Sequence, residues 1–254
     1  CCRIADNHTY VLRYSIGGCV VRIDLEQGGY LLLNKPYEWS SFQATKKVQF
    51  ILKKHFNTKK IKIGHAGTLD PLATGLLILC VGRYTKRIEE FQAKEKEYTG
   101  VFTLGGTTAS YDKEKPIDTT YPTNHITRES ILQTAESFLG EQMQTPPIFS
   151  AIKVGGVRAY SKARDGKDIE IKQRRIHIAE FEITDVQMPE VSFRIRCSKG
   201  TYIRSIARDF GERLQSGAYL SSLCRTKIGE HSLDEALSIE QIADLYPPHS
   251  PSQS

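Results

Sequence analysis

The residues best suited to chemistry lie in one stretch, Gly64-His65-Ala66-Gly67-Thr68-Leu69-Asp70-Pro71-Leu72-Ala73-Thr74-Gly75, set between the basic run KKIKI and the apolar run LLILCV. A carboxylate here could serve as nucleophile or base, and an imidazole could donate or accept a hydrogen bond. The glycines permit positive φ or close backbone approach, and Pro71 biases Asp70 towards an extended conformation. The plain alternative is an Asx-type turn with His65 partly buried. A second segment, Ser198-Lys199-Gly200-Thr201-Tyr202-Ile203-Arg204, follows the alternating strand VSFRIRC and opens a helix. At such junctions main-chain amides point outward and functional side chains gather. Arg204 keeps its charge and can meet a carboxylate through a two-point fork; a surface glutamate is its ordinary partner. Lys96-Glu97-Tyr98 heads a strand with a ring fit for stacking or for the core, and LGGTTASYD, ending at Asp112, reads as a turn.

The elements that must hold these residues alternate in period, which predicts a mixed α and β protein. YLLL at 30–33 and LLILCV at 76–81 read as buried strands, and EYTGVFTL at 97–104 alternates Tyr98, Gly100, Phe102 and Leu104 on one face. Ser40 and Gln43 form a capping box before a helix whose stripe is Ala44, Val48, Ile51, Leu52 and His55. A second helix is expected from about Arg128 to Leu139, stopping at Gly140. A third starts near Tyr202, with Ile203, Ile206, Ala207, Phe210 and Leu214 on its apolar side, Arg204 and Arg208 on one face, and Gly211 weakening its later turns.

The 254 residues carry 35 Lys+Arg against 29 Asp+Glu, a formal charge of +6 that favours an acidic partner such as nucleic acid. Basic residues outnumber Asp165, Asp168 and Glu170 between Lys153 and Arg175, which suits either a solvated hairpin or a basic finger on phosphates. Six cysteines show neither a CxxC pair nor zinc spacing, as expected of a reduced chain, and Cys80 and Cys197 sit in apolar runs as inert thiols. No apolar stretch nears the roughly 20 residues of a membrane span, and no secretory core precedes the chain's strands, so a cytoplasmic location is expected and the sequon Asn7-His8-Thr9 is idle. A nucleotide-binding GxxxxGKS or GxGxxG loop is missing from the sequence.

Taken together, Asn34-Lys35-Pro36, GHAGTLDPLATG, Thr85-Lys86, KEY, LGGTT with Asp112, FSAIKVGGVRAY and SKGTYIR resemble the TruB-type tRNA pseudouridine synthases, over roughly Gly29 to Leu237. The resemblance implies an α+β pseudouridine synthase core, a curved, largely antiparallel mixed sheet flanked by helices with a basic finger insertion. Residues 29–245 would form this catalytic domain, after an uncertain extension (1–28) and before a disordered tail (246–254). It implies isomerisation of the uridine at position 55 in the T loop of tRNA, with no cofactor and no metal. Asp70 falls on the catalytic aspartate, Arg204 on its salt-bridge arginine, which would keep the carboxylate ionised, and Tyr98 on the aromatic that stacks on the target base. His65 would help hold the displaced nucleotide and its phosphates, Tyr202 and Leu223 would line the uridine pocket, Asp112 would make a polar contact, and Lys35 belongs to the substrate-binding set. Lys172, Arg174 and Arg175 would contact RNA phosphates. Extruding the base costs a few kcal/mol, and stacking on an aromatic returns about 1–3 kcal/mol.

Two departures stand out. The chain ends shortly after Leu245, where many bacterial members carry a small RNA-binding domain, so a stand-alone monomer working without guide RNA is expected. Glu38 stands where the family often has glycine, a change expected only to reshape a turn. The rival reading is a non-catalytic RNA-binding or tRNA-folding protein using the same cleft; Asp70, Tyr98 and Arg204 favour catalysis.

Overall fold

The computed structural model describes residues 23–147 and 172–249, and the backbone of 153–154 and 157–158. Residues 1–22 and most of the basic finger therefore lie outside the described residues. The chain divides into two compact units, one holding residues up to Lys94 and from Cys224 onward, the other Glu95–Leu223.

In the first unit, β1 (Gly29–Lys35) runs antiparallel to β3 (Ala73–Val81), in register from Gly29↔Val81 to Lys35↔Gly75, and the short β2 (Ile63–His65) also pairs with β3. One face of these strands, Leu31, Leu33, Leu77, Leu79 and Val81, packs on Val48, Ile51 and Leu52 of α1 (Ser41–His55) and on Ile239 and Ile242 of a C-terminal helix. The other face, Leu32, Leu76, Ile78 and Cys80, meets Phe91 of α2 (Ile88–Ala93) and Ile228. Cover on both faces is why LLILCV is continuously apolar and not alternating. The Ser40/Gln43 capping box forms as the spacing predicts, and a basic last turn (Lys53, Lys54, His55) suits the negative end of the helix dipole.

The second unit is an antiparallel array in the order β4 (Lys96–Leu104), β11 (Glu190–Cys197), β10 (Arg174–Gln187), β7 (Gly140–Gln144). Between β4 and β7 lie a small hairpin, β5 (Gly106–Thr108) with β6 (Ile117–Thr120), and α3 (Arg128–Glu136). Backbone pairing of β8 (Lys153–Val154) with β9 (Val157–Arg158) marks the start of the finger. Phe102, Phe138, Phe181, Phe193 and Phe210 form the core, with Phe102 stacked on Phe193 at 4.2 Å between centroids. Phe210 comes from α4 (Ile203–Arg213), which follows β11; β12 (Ala218–Ile228) runs from this unit into the first, where β13 (His231–Ser232) pairs with it, and α5 (Ile239–Leu245) completes the first unit. The α+β class expected from the sequence is the one observed.

Four details differ from the expectations. The second helix ends at Glu136, three residues early, because Ser137 already caps it and Gly140, at φ +88°, opens β7. Contacts also run past the boundary placed at Tyr246: its ring is buried in the first core, the Pro247 carbonyl accepts a hydrogen bond from His55 Nδ1 at 2.8 Å, and the His249 amide donates to Lys54 O. Upstream, Ile23 is buried in the same core and Asp24 bridges to Gly28, so the core begins before residue 29. Glu38 adopts φ +63°, the left-handed region that glycine enters freely, so glycine at that position avoids a strain this chain bears.

Gly211 is a fifth. A Cβ there would stand 2.3 Å from the Ala218 backbone nitrogen, so the glycine lets β12 lie against α4. Gly211→Ala gains about 1 kcal/mol of helix propensity but overpacks a backbone contact at a cost of about 1–3 kcal/mol. The variant is expected to melt at a lower temperature than the parent in a circular-dichroism thermal scan; a higher midpoint would show that the loop yields.

Candidate active site

In the first unit the loop carrying Asp70 is held by its main chain. Ser41, the first residue of α1, accepts a hydrogen bond from the Leu69 amide (2.8 Å) and stands 2.9 Å from the Leu69 carbonyl, to which its hydroxyl donates, all within the buried interior. Asp70 itself is half-buried, and its carbonyl accepts from Ala73 N–H as the loop turns into β3. Beneath the loop lies Lys35, fully buried at the end of β1. Its ammonium donates to the carbonyls of Trp39 (2.6 Å) and Pro36 (2.8 Å) and reaches that of Pro71 (3.4 Å). Burial pulls the Lys35 pKa down to about 8, opposed by the charge of Asp70 and reinforced by that of Arg225. Lys35 was expected to bind substrate; the structure spends its donors on the protein's own carbonyls.

Arg225, on β12, is 2 % exposed. It donates from Nε to Leu76 O (2.8 Å) and from Nη2 to Gly67 O (3.1 Å), tying the two ends of the loop together. Gly75, at φ +101°, lets this happen: a Cβ there would stand 2.4 Å from Arg225 O. His65, on β2, is half-buried, its Nδ1 has no hydrogen-bond partner among the described residues, and burial, then the charge of Arg225, lowers its pKa below the usual 6.5. Both influences favour the neutral ring, which can stack on a nucleotide or hydrogen-bond to it and to its phosphate.

The second unit holds the remaining expected residues. Arg204, 4 % exposed on the first turn of α4, donates from Nη1 to Ser110 O (3.2 Å), and its Nε stands 3.7 Å from Asp112 Oδ2. Asp112 is buried as well. Its carboxylate accepts from Ser110 Oγ (2.6 Å) and from the Glu114 amide (2.9 Å), an Asx turn beside Tyr111, which sits at φ +62°. Asp112 thus faces these internal partners in the described structure. Tyr98 is buried on β4 opposite Ile195 of β11, and the neighbouring Glu97 joins Arg194, which also pairs with Glu180 and Glu182. Tyr202 precedes α4 with no side-chain cap; instead Gln144 accepts from its amide (2.8 Å) and donates to its carbonyl (3.1 Å). Arg174 lies over the Tyr202 ring at 4.8 Å and donates to Gly200 O, while Arg175 forms an exposed ion pair with Glu141. Lys172 is exposed, and Leu223 is half-buried on β12.

Asp70, His65 and Lys35 therefore belong to one unit, and Tyr98, Asp112, Tyr202, Arg204, Leu223, Lys172, Arg174 and Arg175 to the other. Sequence reasoning missed Arg225 and Ser41. Arg225 looks like any surface arginine in CRTKIG, and no local pattern marks it as buried. Cys80 and Cys197 behave as expected, with burial pushing their thiols to about 11 and about 12. Among the described residues no cluster of three or more His, Cys, Asp or Glu is placed to hold a metal ion.

Residues 53–203 match the TruB family pseudouridylate synthase N-terminal domain. The chain is 56% identical over 214 residues to the tRNA pseudouridine synthase B of Flavobacterium johnsoniae, covering 84% of this chain and 93% of that protein. It is 49% identical over 222 residues to the enzyme of the same name from Phocaeicola vulgatus, covering 87% and 94%. Among solved structures, a chain of a Cbf5-Nop10-Gar1 complex superposes with a TM-score of 0.64 at 27% identity, covering 87% of this chain and 55% of that one. With the sequence match, the relatives and the superposition all agreeing, the chain belongs to the TruB family of pseudouridylate synthases.

Proposed function

We propose that this protein isomerises uridine to pseudouridine in tRNA, at position 55 in the T loop, with Asp70 as its essential carboxylate. The observation that carries the reading is the Asp70 loop: an acid in the family's motif, fixed from below by two buried cations that bond to main-chain carbonyls. A protein that only bound RNA would have no use for a carboxylate held in this way.

The reaction breaks the N1–C1′ bond, turns the uracil, joins C5 to C1′ and releases the C5 proton to a base or water, so the atoms balance without a co-reactant. Asp70 acts on the sugar as its anion, as nucleophile or as base. Lys35 and Arg225 supply positive charge on the loop's buried side, which favours that anion. Tyr98 and Arg204 take the roles the resemblance implies, stacking on the base and supporting the carboxylate's charge. Tyr202 and Leu223 line the pocket, and Asp112 contacts substrate by way of the turn it organises. His65 acts as a neutral partner of the displaced nucleotide. Lys172, Arg174 and Arg175 hold phosphates, which positions the RNA without reading it; the shape of the T loop supplies specificity. The enzyme works in the cytoplasm as a monomer and without guide RNA.

Tritium release from T-arm RNA labelled at uridine C5 tests the assignment, since only substitution at C5 liberates that label. Asp70→Asn should lose at least about a thousandfold in turnover while binding RNA nearly as before, because the amide keeps the packing. Normal release by the variant would sink the mechanism.

Lys35 gives a second expectation. Its folded pKa of about 8 lies below the unfolded value, so between about 8 and 10.5 the unfolded chain binds more protons and stability from this group rises with pH. Activity should do the opposite. As pH climbs through about 8, Lys35 loses its charge and a donor, and kcat/KM falls with no loss of fold. Lys35→Met should be slower and lack that basic limb in profiles across about pH 6.5 to 9; a parent profile flat through this range would dismiss the role.

A further inference from the structure

From Trp39 to Leu69 the chain has no Asp or Glu, yet it carries Lys46, Lys47, Lys53, Lys54, Lys59, Lys60 and Lys62. Helix α1 supplies the first four. At 100° per residue its buried positions, Ala44, Val48, Ile51 and Leu52, fall on one side, and Phe42, Lys46, Phe50, Lys53 and Lys54 fall on the other. That outer side is unusual in two respects. Phe42 and Phe50 are 64 % and 52 % exposed, each with a lysine over its ring: Lys46 at 5.5 Å from the first centroid, Lys54 at 4.6 Å from the second. The lysines also have no carboxylate within salt-bridge reach among the described residues; at the flank, Lys47 exerts an electrostatic pull on Glu240.

The basic segment after the helix returns to the same face. Gln49 donates from its side-chain amide to Ile61 O (2.7 Å), which brings the exposed Lys60 and Lys62 beside the stripe. A solvated helix face ordinarily mixes charges at i and i+4, and a run of one sign repels itself. Exposed rings interleaved with lysines that lack acidic neighbours suit a polyanion that also offers sugar and base edges to pack on. The face also starts at the right place, because the helix's first residue, Ser41, bonds the main chain of Leu69, next to Asp70.

We infer that the outer face of α1, with Lys60 and Lys62, is an RNA-backbone docking surface that grips the phosphates of the tRNA whose uridine enters the site. The inference rests on the tRNA reading above and adds to it a surface separate from the phosphate contacts at Lys172, Arg174 and Arg175. Its contacts are sequence-independent: lysines on phosphates, phenylalanines against ribose or an unstacked base.

The test is the affinity of the full chain for an unmodified tRNA transcript, by fluorescence anisotropy across a salt series. The variant K46Q/K54Q/K60Q/K62Q should bind about tenfold or more weakly near physiological salt, and its plot of log K against log salt should be shallower by about 2 to 3.5, at roughly 0.9 for each phosphate no longer neutralised. K46R/K54R/K60R/K62R keeps the charge and should bind like the parent, which separates charge from folding. F42S/F50S should bind about threefold to tenfold more weakly. Unchanged affinity and slope in the glutamine variant, or an arginine variant as weak as it, would overturn the surface. A parent dimer that F42S/F50S dissociates while tRNA affinity stays the same would overturn it too, giving the face to a second copy of the chain. A parent chain with no affinity for tRNA would bring down both this surface and the functional reading, whereas normal turnover by Asp70→Asn would overturn only the reaction, since the readout here is binding alone.

Discussion

Two buried cations beneath the Asp70 loop are the constraint on which the first unit depends. Removing an ammonium or a guanidinium from water is costly unless every donor finds an acceptor. Lys35 offsets that cost with the main-chain carbonyls of Pro36, Trp39 and Pro71, and Arg225 with those of Gly67 and Leu76. Those carbonyls belong to the turn that precedes α1 and to both arms of the Asp70 loop. The cations therefore fix the loop through its backbone. The positive φ of Gly67 and Gly75 follows from the same demand, since a loop must present carbonyls inward at both ends while a strand packs against it.

Much of this is legible in the sequence wherever the information is local. The capping box at Ser40, the stripe of α1, the continuous apolar run of β3 and the strand-to-helix junction before Arg204 are short-range patterns with short-range causes, and each forms as its spacing predicts. What escapes a sequence depends on contacts between distant residues. The residue types show that Lys35 and Arg225 are charged; they do not show that both are buried. Gly211 reads as a weak helix position until β12 is found against it, and Glu38 reads as a harmless exchange until its φ is known. The resemblance supplies roles for Asp70, Tyr98 and Arg204, but it places Lys35 with the substrate and gives His65 a share of the phosphates. Burial adds what the resemblance does not carry: the Lys35 ammonium is turned to main-chain carbonyls, and the His65 imidazole has its pKa lowered.

The second unit solves its positioning problem differently. Arg204 has to stand at the start of a helix, where the main chain has spare donors and no side-chain cap is present. Gln144 takes that place from the end of β7, its amide bonding both the N–H and the C=O of Tyr202 as a neighbouring strand would. The carboxylate of Asp112 and the carbonyl of Ser110 then meet the guanidinium, and the turn that carries them accepts a left-handed Tyr111 to do so. A left-handed tyrosine costs on the order of 1 kcal/mol, a strain that the rest of the turn must outweigh. The strain and the buried arginine sit together, as they tend to where geometry serves function and not only stability.

Helix α1 ties these themes to the surface. Its inner side is ordinary: apolar residues at helical spacing on a sheet, with a serine at its first turn that bonds the Asp70 loop. Its outer side breaks the usual pattern, leaving two phenylalanines in water under lysines that have no acidic counterpart from Trp39 to Leu69. Stability alone would favour mixed charges there, since repulsion between like-charged neighbours on a helix costs a few tenths of a kcal/mol per pair. Folding does not require that arrangement, so its reason lies outside the chain, and a phosphate backbone is the partner whose charge complements it. The same helix would then hold the acid from within and the RNA from without, so that docking on its outer face bears directly on the element that positions Asp70.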